Sequence, residues 1–220
     1  MAFDVENVSS GSGAAIGSIT FSHTITSANK LVVLVATGDS DPNIRGDITV
    51  TFNGDALTFK GEVDATSYTH AEIWERDNPD VGTFDVVVTC TAWALSANEI
   101  FGAAIGFTDA HTTSGAVAGN TGTTTNPSVT ANSVANDIVV GVVSNDNNAT
   151  AQTEDYTLIG EAEDIGSDVD ANAERRTATG ATTVLSWTNA TSGGWWAAVA
   201  MAVKPAVGGA DARKLVRTYV

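Results

Sequence analysis

Cysteine is nearly missing from this chain. Its single occurrence, Cys90, excludes an internal disulfide and any zinc site built from several thiolates. Basic residues are scarce, 10 Lys and Arg against 26 Asp and Glu, and the formal charge is −16. That balance argues against nucleic acid as a partner, because phosphate binding needs a basic surface. No apolar run approaches the roughly 18 residues of a membrane-spanning helix. Leu31–Ala36, among the longest, has the length of a strand, so no membrane role is expected. The Walker loop, His-Glu-x-x-His and the Gly-x-Ser-x-Gly elbow are all lacking, and each would have marked a specific chemistry. The opening Met1–Glu6 has neither a basic n-region nor an apolar h-region, so the expectation is synthesis in a cytoplasm without a signal peptide. Charged residues are only 16% of the 220, while 43% are hydrophobic, enough to fill a core.

What fills the chain is β-forming material. Gly, Thr and Asn recur every few residues with β-branched residues between them, and helical periodicity is almost nowhere to be found. Ile19, Phe21, His23 and Ile25 alternate with polar residues, as do Ile48, Val50 and Phe52. Asn53-Gly54 then tolerates positive φ and predicts a hairpin before Leu57 and Phe59 resume the pattern. Phe84, Val86, Val88 and Cys90 share another face, which makes Cys90 a small buried hydrophobe. Leu31–Ala36 and Ile138–Val143 are continuously apolar, as strands buried on both faces are.

The two halves of the chain repeat each other. Leu31–Val35 parallels Ile138–Val142, Thr58–Glu62 parallels Thr157–Glu161, and Gly82 with Phe84–Thr89 parallels Gly180 with Thr182–Trp187. Phe101–Ala104 parallels Trp196–Val199 in the same order. The expected architecture is all-β: a single two-sheet antiparallel sandwich over residues 15–205 with an internal pseudo-repeat. Residues 1–14 and 206–220 are expected to form N- and C-terminal arms. Ala110–Pro127 reads as a polar crossover between the halves, and Gln152–Arg176 as a long, irregular, acidic stretch.

Candidate chemistry is thin. Asp39, Asp41, Asn43 and Asp47 space oxygen side chains as a hard cation favours, making a calcium site one reading and an acidic turn the other. Glu161, Glu163, Asp164, Asp168 and Asp170 form a second acidic stretch, read as a soluble loop or a metal site. His23 reads as a core histidine and His70 as a surface or edge one. His111 lies near Asp109 and Ser114, but the serine sits in a Gly-rich loop without an elbow, so no catalytic residue is assigned. Trp93, Trp195 and Trp196 are candidates for sugar stacking or for an interface, and adjacent Trp195 and Trp196 must face opposite sides of a strand. The last 17 residues hold Lys204, Arg213, Lys214 and Arg217, four of the ten bases, after a Gly-Gly break. With Leu215, Val216, Tyr219 and Val220, they suit an arm that docks on an acidic neighbour and adds a strand to a sheet edge.

An ordered set of segments carries a resemblance. Phe21-Ser22-His23-Thr24 leads into Ser27–Lys30 and the Leu31–Val35 strand. Val50–Gly54 with Leu57-Thr58, Ala71–Trp74, Gly82–Thr89, Ile105–Thr108 and Trp195–Ala200 into Lys204-Pro205 follow. From Ser18 to Pro205 this order resembles a family of roughly 200-residue β-sandwich modules of phage virion proteins and bacterial extracellular proteins. The resemblance implies a jelly-roll-like or lectin-like fold and no fixed catalytic residues. The expectation is a non-enzymatic virion structural protein of a bacteriophage, most simply a capsid decoration or other surface-assembly subunit. Its partners would be copies of itself and other virion proteins, with no cofactor beyond the calcium reading. The alternatives are a glycan-binding adhesin module at a cell or phage surface and a self-assembling bacterial surface filament or layer protein. A glycosidase would need a pair of carboxylates that the sequence does not single out.

Overall fold

The computed structural model describes residues 3–14, 17–38, 48–65, 69–90, 99–146, 153–154, 156–165, 169–188 and 194–206. The chain is an all-β antiparallel sandwich, with no helix among these residues. The first half runs β1 (Asp4–Ala14), β2 (Ser18–Ile25), β3 (Lys30–Gly38), β4 (Ile48–Phe52), β5 (Asp55–Ala56), β6 (Thr58–Ala65), β7 (Thr69–Asp77), β8 (Gly82–Cys90) and β9 (Glu99–Thr108). The second runs β10 (Ala118–Gly122), β11 (Ser128–Asn132), β12 (Ile138–Asp146), β13 (Thr153–Glu154), β14 (Thr157–Ile165), β15 (Val169–Thr177), β16 (Thr182–Thr188) and β17 (Trp196–Val203).

Where two sheets were expected, the described strands form four. The first half has an inner sheet, β1-β9-β3-β7-β6, and an outer sheet, β2-β8-β4-β5. The second has an inner sheet, β10-β17-β12-β15-β14, and an outer sheet, β11-β16-β13. In both, the first strand lies beside the last and the second beside the penultimate, which is jelly-roll winding. The pseudo-repeat is therefore a repeat of topology, and each half is a sandwich of its own.

The layers stack as outer, inner, inner, outer, and strand alternation accounts for this. Leu31, Val33 and Val35 of β3 point to the first outer sheet, with Phe52, Val86 and Val88. Val32, Leu34 and Ala36 point the other way, onto Val140, Val142 and Val199 of the second inner sheet. Val139 and Val143 of β12 face the second outer sheet, with Leu185 and Trp187. Both runs expected to be buried on two faces are so, because each inner sheet is sandwiched twice. The inner sheets pack in opposite strand order: β1 lies over β14, β3 over β12 and β6 over β10. The halves are thus related by a pseudo-twofold axis near β3 and β12.

Three expectations need correction. Residues 4–14, expected in an arm, are an edge strand of the chain's own first inner sheet, paired with β9 from Asp4↔Thr108 to Ala14↔Glu99. Phe3 stacks on Phe107 and Val5 packs on the central core, so burial holds the segment to the body. The crossover Ala110–Pro127 contains β10, whose backbone completes the second inner sheet against β17. It lacks apolar periodicity because neighbours come too close for side chains: a Cβ on Gly122 would lie 2.6 Å from the Trp196 ring. Gln152–Arg176, expected to be irregular, supplies β14 and β15, and Asp170, Asn172 and Glu174 of β15 are buried. The Asn53-Gly54 hairpin is as expected, with φ of 52° and 80° joining β4 to β5.

Candidate functional site

Among the described residues, the β6–β7 pair carries a dense cluster of ionisable groups. Its register sets Glu62 opposite Glu72 and Asp64 opposite His70. Residues two apart on a strand share a face, so Glu62, Asp64, His70, Glu72, Trp74 and Arg76 all project to one side. Arg76 identifies that side: it donates to the Phe52 carbonyl (3.1 Å) and to Asp55 (2.7 Å) on the first outer sheet. His70 is gripped from both ends, its Nδ1 2.5 Å from Asp64 Oδ1 and its Nε2 2.6 Å from Glu72 Oε1. Trp74 Nε1 donates to the second oxygen of Glu72 at 2.6 Å, and Phe59 meets the Trp74 ring edge-on. Burial alone would lower the pKa of His70, but the two carboxylates outweigh it and hold the imidazolium to about 9. Among the described residues, Glu62, His70 and Glu72 are the one group whose donor atoms converge as metal ligands do.

The other polar clusters hold the fold together. Lys30 is fully buried and donates to Glu75 (3.2 Å), Asp77 (2.6 Å) and the Thr112 carbonyl (3.2 Å). Glu75 also takes Lys60 Nζ at 2.8 Å and the Ser114 hydroxyl at 2.5 Å. Burial would raise the Glu75 pKa, but these donors bring it below the usual carboxylate range. Ser114 is thereby bound to Glu75, while His111 Nδ1 accepts the Thr113 N–H, so the structure gives Ser114 and His111 different partners.

Glu6 on β1 caps the turn between β2 and β3. It accepts from the Thr26 and Ala28 amides at 3.1 Å and the Ser27 hydroxyl at 2.8 Å, and from the Thr26 hydroxyl and Ser27 amide. Partial burial raises its pKa, but these donors prevail and bring it to about 2. His23 is buried, as expected of a core histidine, with Nδ1 2.8 Å from the Ser9 hydroxyl. Desolvation lowers its pKa to about 4, against a small upward pull from Glu6.

A pH dependence follows. The unfolded chain protonates His23 near 6.5 while the folded chain waits until about 4, so stability falls with pH across that window. Glu6 stabilises above about 4.5, and its contribution is lost as pH falls toward 2. Thermal unfolding by circular dichroism should show the midpoint dropping through both windows. His23→Gln should flatten the upper drop and Glu6→Gln the lower; unchanged slopes in both variants would contradict the assignment.

Most of the sequence-derived candidates fall where the structure gives no description. Asp39, Asp41, Asn43 and Asp47, Trp93, and the arm residues Arg213, Lys214, Leu215, Val216, Arg217, Tyr219 and Val220 lie outside the described residues. So do Asp168 and the side chains of Glu163 and Asp164. Glu161 is exposed on β14, whereas Asp170 is buried on β15. Trp196 is 3% exposed within the second core and Trp195 38% exposed outside it, the opposed placement expected of neighbours. Cys90 is buried among the hydrophobics of the first half, as expected.

No protein-family model, curated protein or solved structure matches this chain. The site is therefore read from its own geometry. The sequence places His70 at a surface or edge and does not reveal its cluster; in the structure its side chain is only 14% exposed. The available signal was two alternating pairs, Glu62-x-Asp64 and His70-x-Glu72, on either side of a short connection. Only the strand register brings them onto one face.

Proposed function

We propose that this chain is a structural subunit of a bacteriophage particle, a capsid decoration or similar surface-assembly protein that works through contact. The observation that carries this reading is the tandem jelly roll itself. Four stacked sheets make a stiff block, and its outer faces bear short polar side chains such as Thr20, Thr24, Thr130 and Ser186. Such a block suits repeated lateral contacts better than gripping a small molecule. The Lys30, Glu6 and His23 clusters serve internal cohesion. The basic segment Arg213–Arg217 follows the body, and opposite charge would steer it onto an acidic neighbour. Ala110, just after the first half, and Pro205, just after β17, are joined by a β-bridge.

Deletion of Asp211–Val220 tests this. The full chain should associate with copies or with particles in sedimentation experiments, more strongly at low salt, and the truncated chain should lose most of that association. Equal sedimentation of both would remove the arm from the proposal. A second reading has one observation in its favour: Phe59, 45% exposed, stands edge-on to Trp74 beside Glu62, as an aromatic platform for a sugar would. Binding on a glycan array that disappears in Phe59→Ala would favour the adhesin alternative.

A further inference from the structure

The β6–β7 cluster has features that fold maintenance does not require. The pseudo-repeat supplies an internal comparison. Gly61 opposes Ile73 as Gly160 opposes Ala173, so the equivalents of His70 and Glu72 in the second half are Asp170 and Asn172. There β14 and β15 share the glycine bulge but shift register again between Ala162 and Ile165, beside Asp170, and no imidazole is present. Asn172 instead accepts the Trp187 indole N–H at 3.1 Å. Pairing of the strands as far as Ala162 and Ala171 therefore does not need the histidine.

We propose that Glu62, His70 and Glu72 form a binding site for a first-row divalent metal ion, of which zinc is the best match. His70 Nε2 and one carboxylate oxygen from each glutamate lie within 4.8 Å of one another. Nε2 is 2.6 Å from Glu72 and 3.9 Å from Glu62. Ligand atoms each about 2.0–2.1 Å from a tetrahedral zinc are about 3.3 Å apart, so the two observed spacings straddle the required one. Small rotations of the glutamates, one outward and one inward, suffice. The ion takes the place of the proton that Nε2 shares with Glu72.

The surroundings fit a metal as well. Asp64 holds Nδ1, which fixes the ring and aims Nε2 at the ion, the usual carboxylate partner of a metal-bound histidine. Trp74 holds the distal oxygen of Glu72 in the same way. Glu72 is 4% exposed and Glu62 47%, so the site is walled on one side and open on the other, where water completes the coordination. One nitrogen with two carboxylate oxygens selects borderline ions; calcium and magnesium prefer oxygen alone.

The test uses the full chain, stripped with a chelator and titrated with zinc chloride by calorimetry. Thermal midpoints are followed in parallel, and cobalt(II) absorption reports the ligand set. One zinc equivalent is expected, with a rise in the midpoint that grows with free zinc. Glu62→Gln, at an exposed position that leaves the fold intact, should weaken binding about tenfold or more. His70→Gln should weaken it further and shift the cobalt bands, while His111→Gln should bind as the native chain does. Absence of stoichiometric zinc binding overturns the proposal. So does equal binding by Glu62→Gln and the native chain, which would place the ion elsewhere. Calcium binding tighter than zinc binding would also overturn it.

Discussion

Phe101→Ala is expected to lower the unfolding free energy by about 3–5 kcal/mol. Phe101 is fully buried on β9 and points away from its own outer sheet into the core shared by the two halves. A Cβ on Gly160, across the interface in β14, would lie 3.5 Å from its ring tip. Truncation therefore opens a void between the halves rather than within one. Because the central strands of both inner sheets are buried on both faces, the halves should melt together. Urea denaturation followed by tryptophan fluorescence and by far-ultraviolet circular dichroism should give one transition, displaced to lower urea, with both probes coincident. Two separated transitions would mean that the shared core does not couple the halves. Val184→Ala, a smaller truncation at a 40% exposed position on the second outer sheet, should change stability by no more than about 0.5 kcal/mol.

Lys30→Met is expected to cost about 3–5 kcal/mol, although methionine fills nearly the same space. Lys30 Nζ is fully buried between Glu75 and Asp77, and its loss leaves Glu75 with Lys60 as its remaining cation. Losing its fully buried cation leaves the Glu75 charge under-compensated in a dry site, the costly outcome; a neutral pair in the same space is less so. The double variant Lys30→Met/Glu75→Gln should therefore be more stable than Lys30→Met alone. Chemical denaturation of the four proteins in a double-mutant cycle provides the check. Additive losses would show that the pair is not coupled, and the contribution of Lys30 would then be its packing alone.

The repeat illustrates how far the sequence carries. Thr58–Glu62 and Thr157–Glu161 were matched in register, and the structure gives both the same bulge, at Phe59/Gly61 and at Leu158/Gly160. These edge strands alternate and carry a glycine, so their register is written in the residues. The inner strands were matched one residue out. The sequence match pairs Leu31 with Ile138, yet Leu31 faces its outer sheet while Ile138 faces the central core. The structural partner of Leu31 is Val139, which faces the second outer sheet. Likewise Phe101 corresponds to Ala197, not Trp196. A strand buried on both faces has no polar side to mark its phase, so a slip of one residue leaves no trace in its composition.

Composition and alternation alone determined that this chain is an antiparallel all-β protein, that Leu31–Ala36 and Ile138–Val143 are interior strands, that Asn53-Gly54 turns a hairpin, and that its halves repeat. Tertiary structure decided the rest: four layers where two were read, an N-terminal segment drawn into its own sheet, and a histidine set among three carboxylates. The division has one physical cause. Hydrophobic period reports whether a face is buried, a local property of each strand, whereas what buries it depends on pairings between residues far apart in the chain.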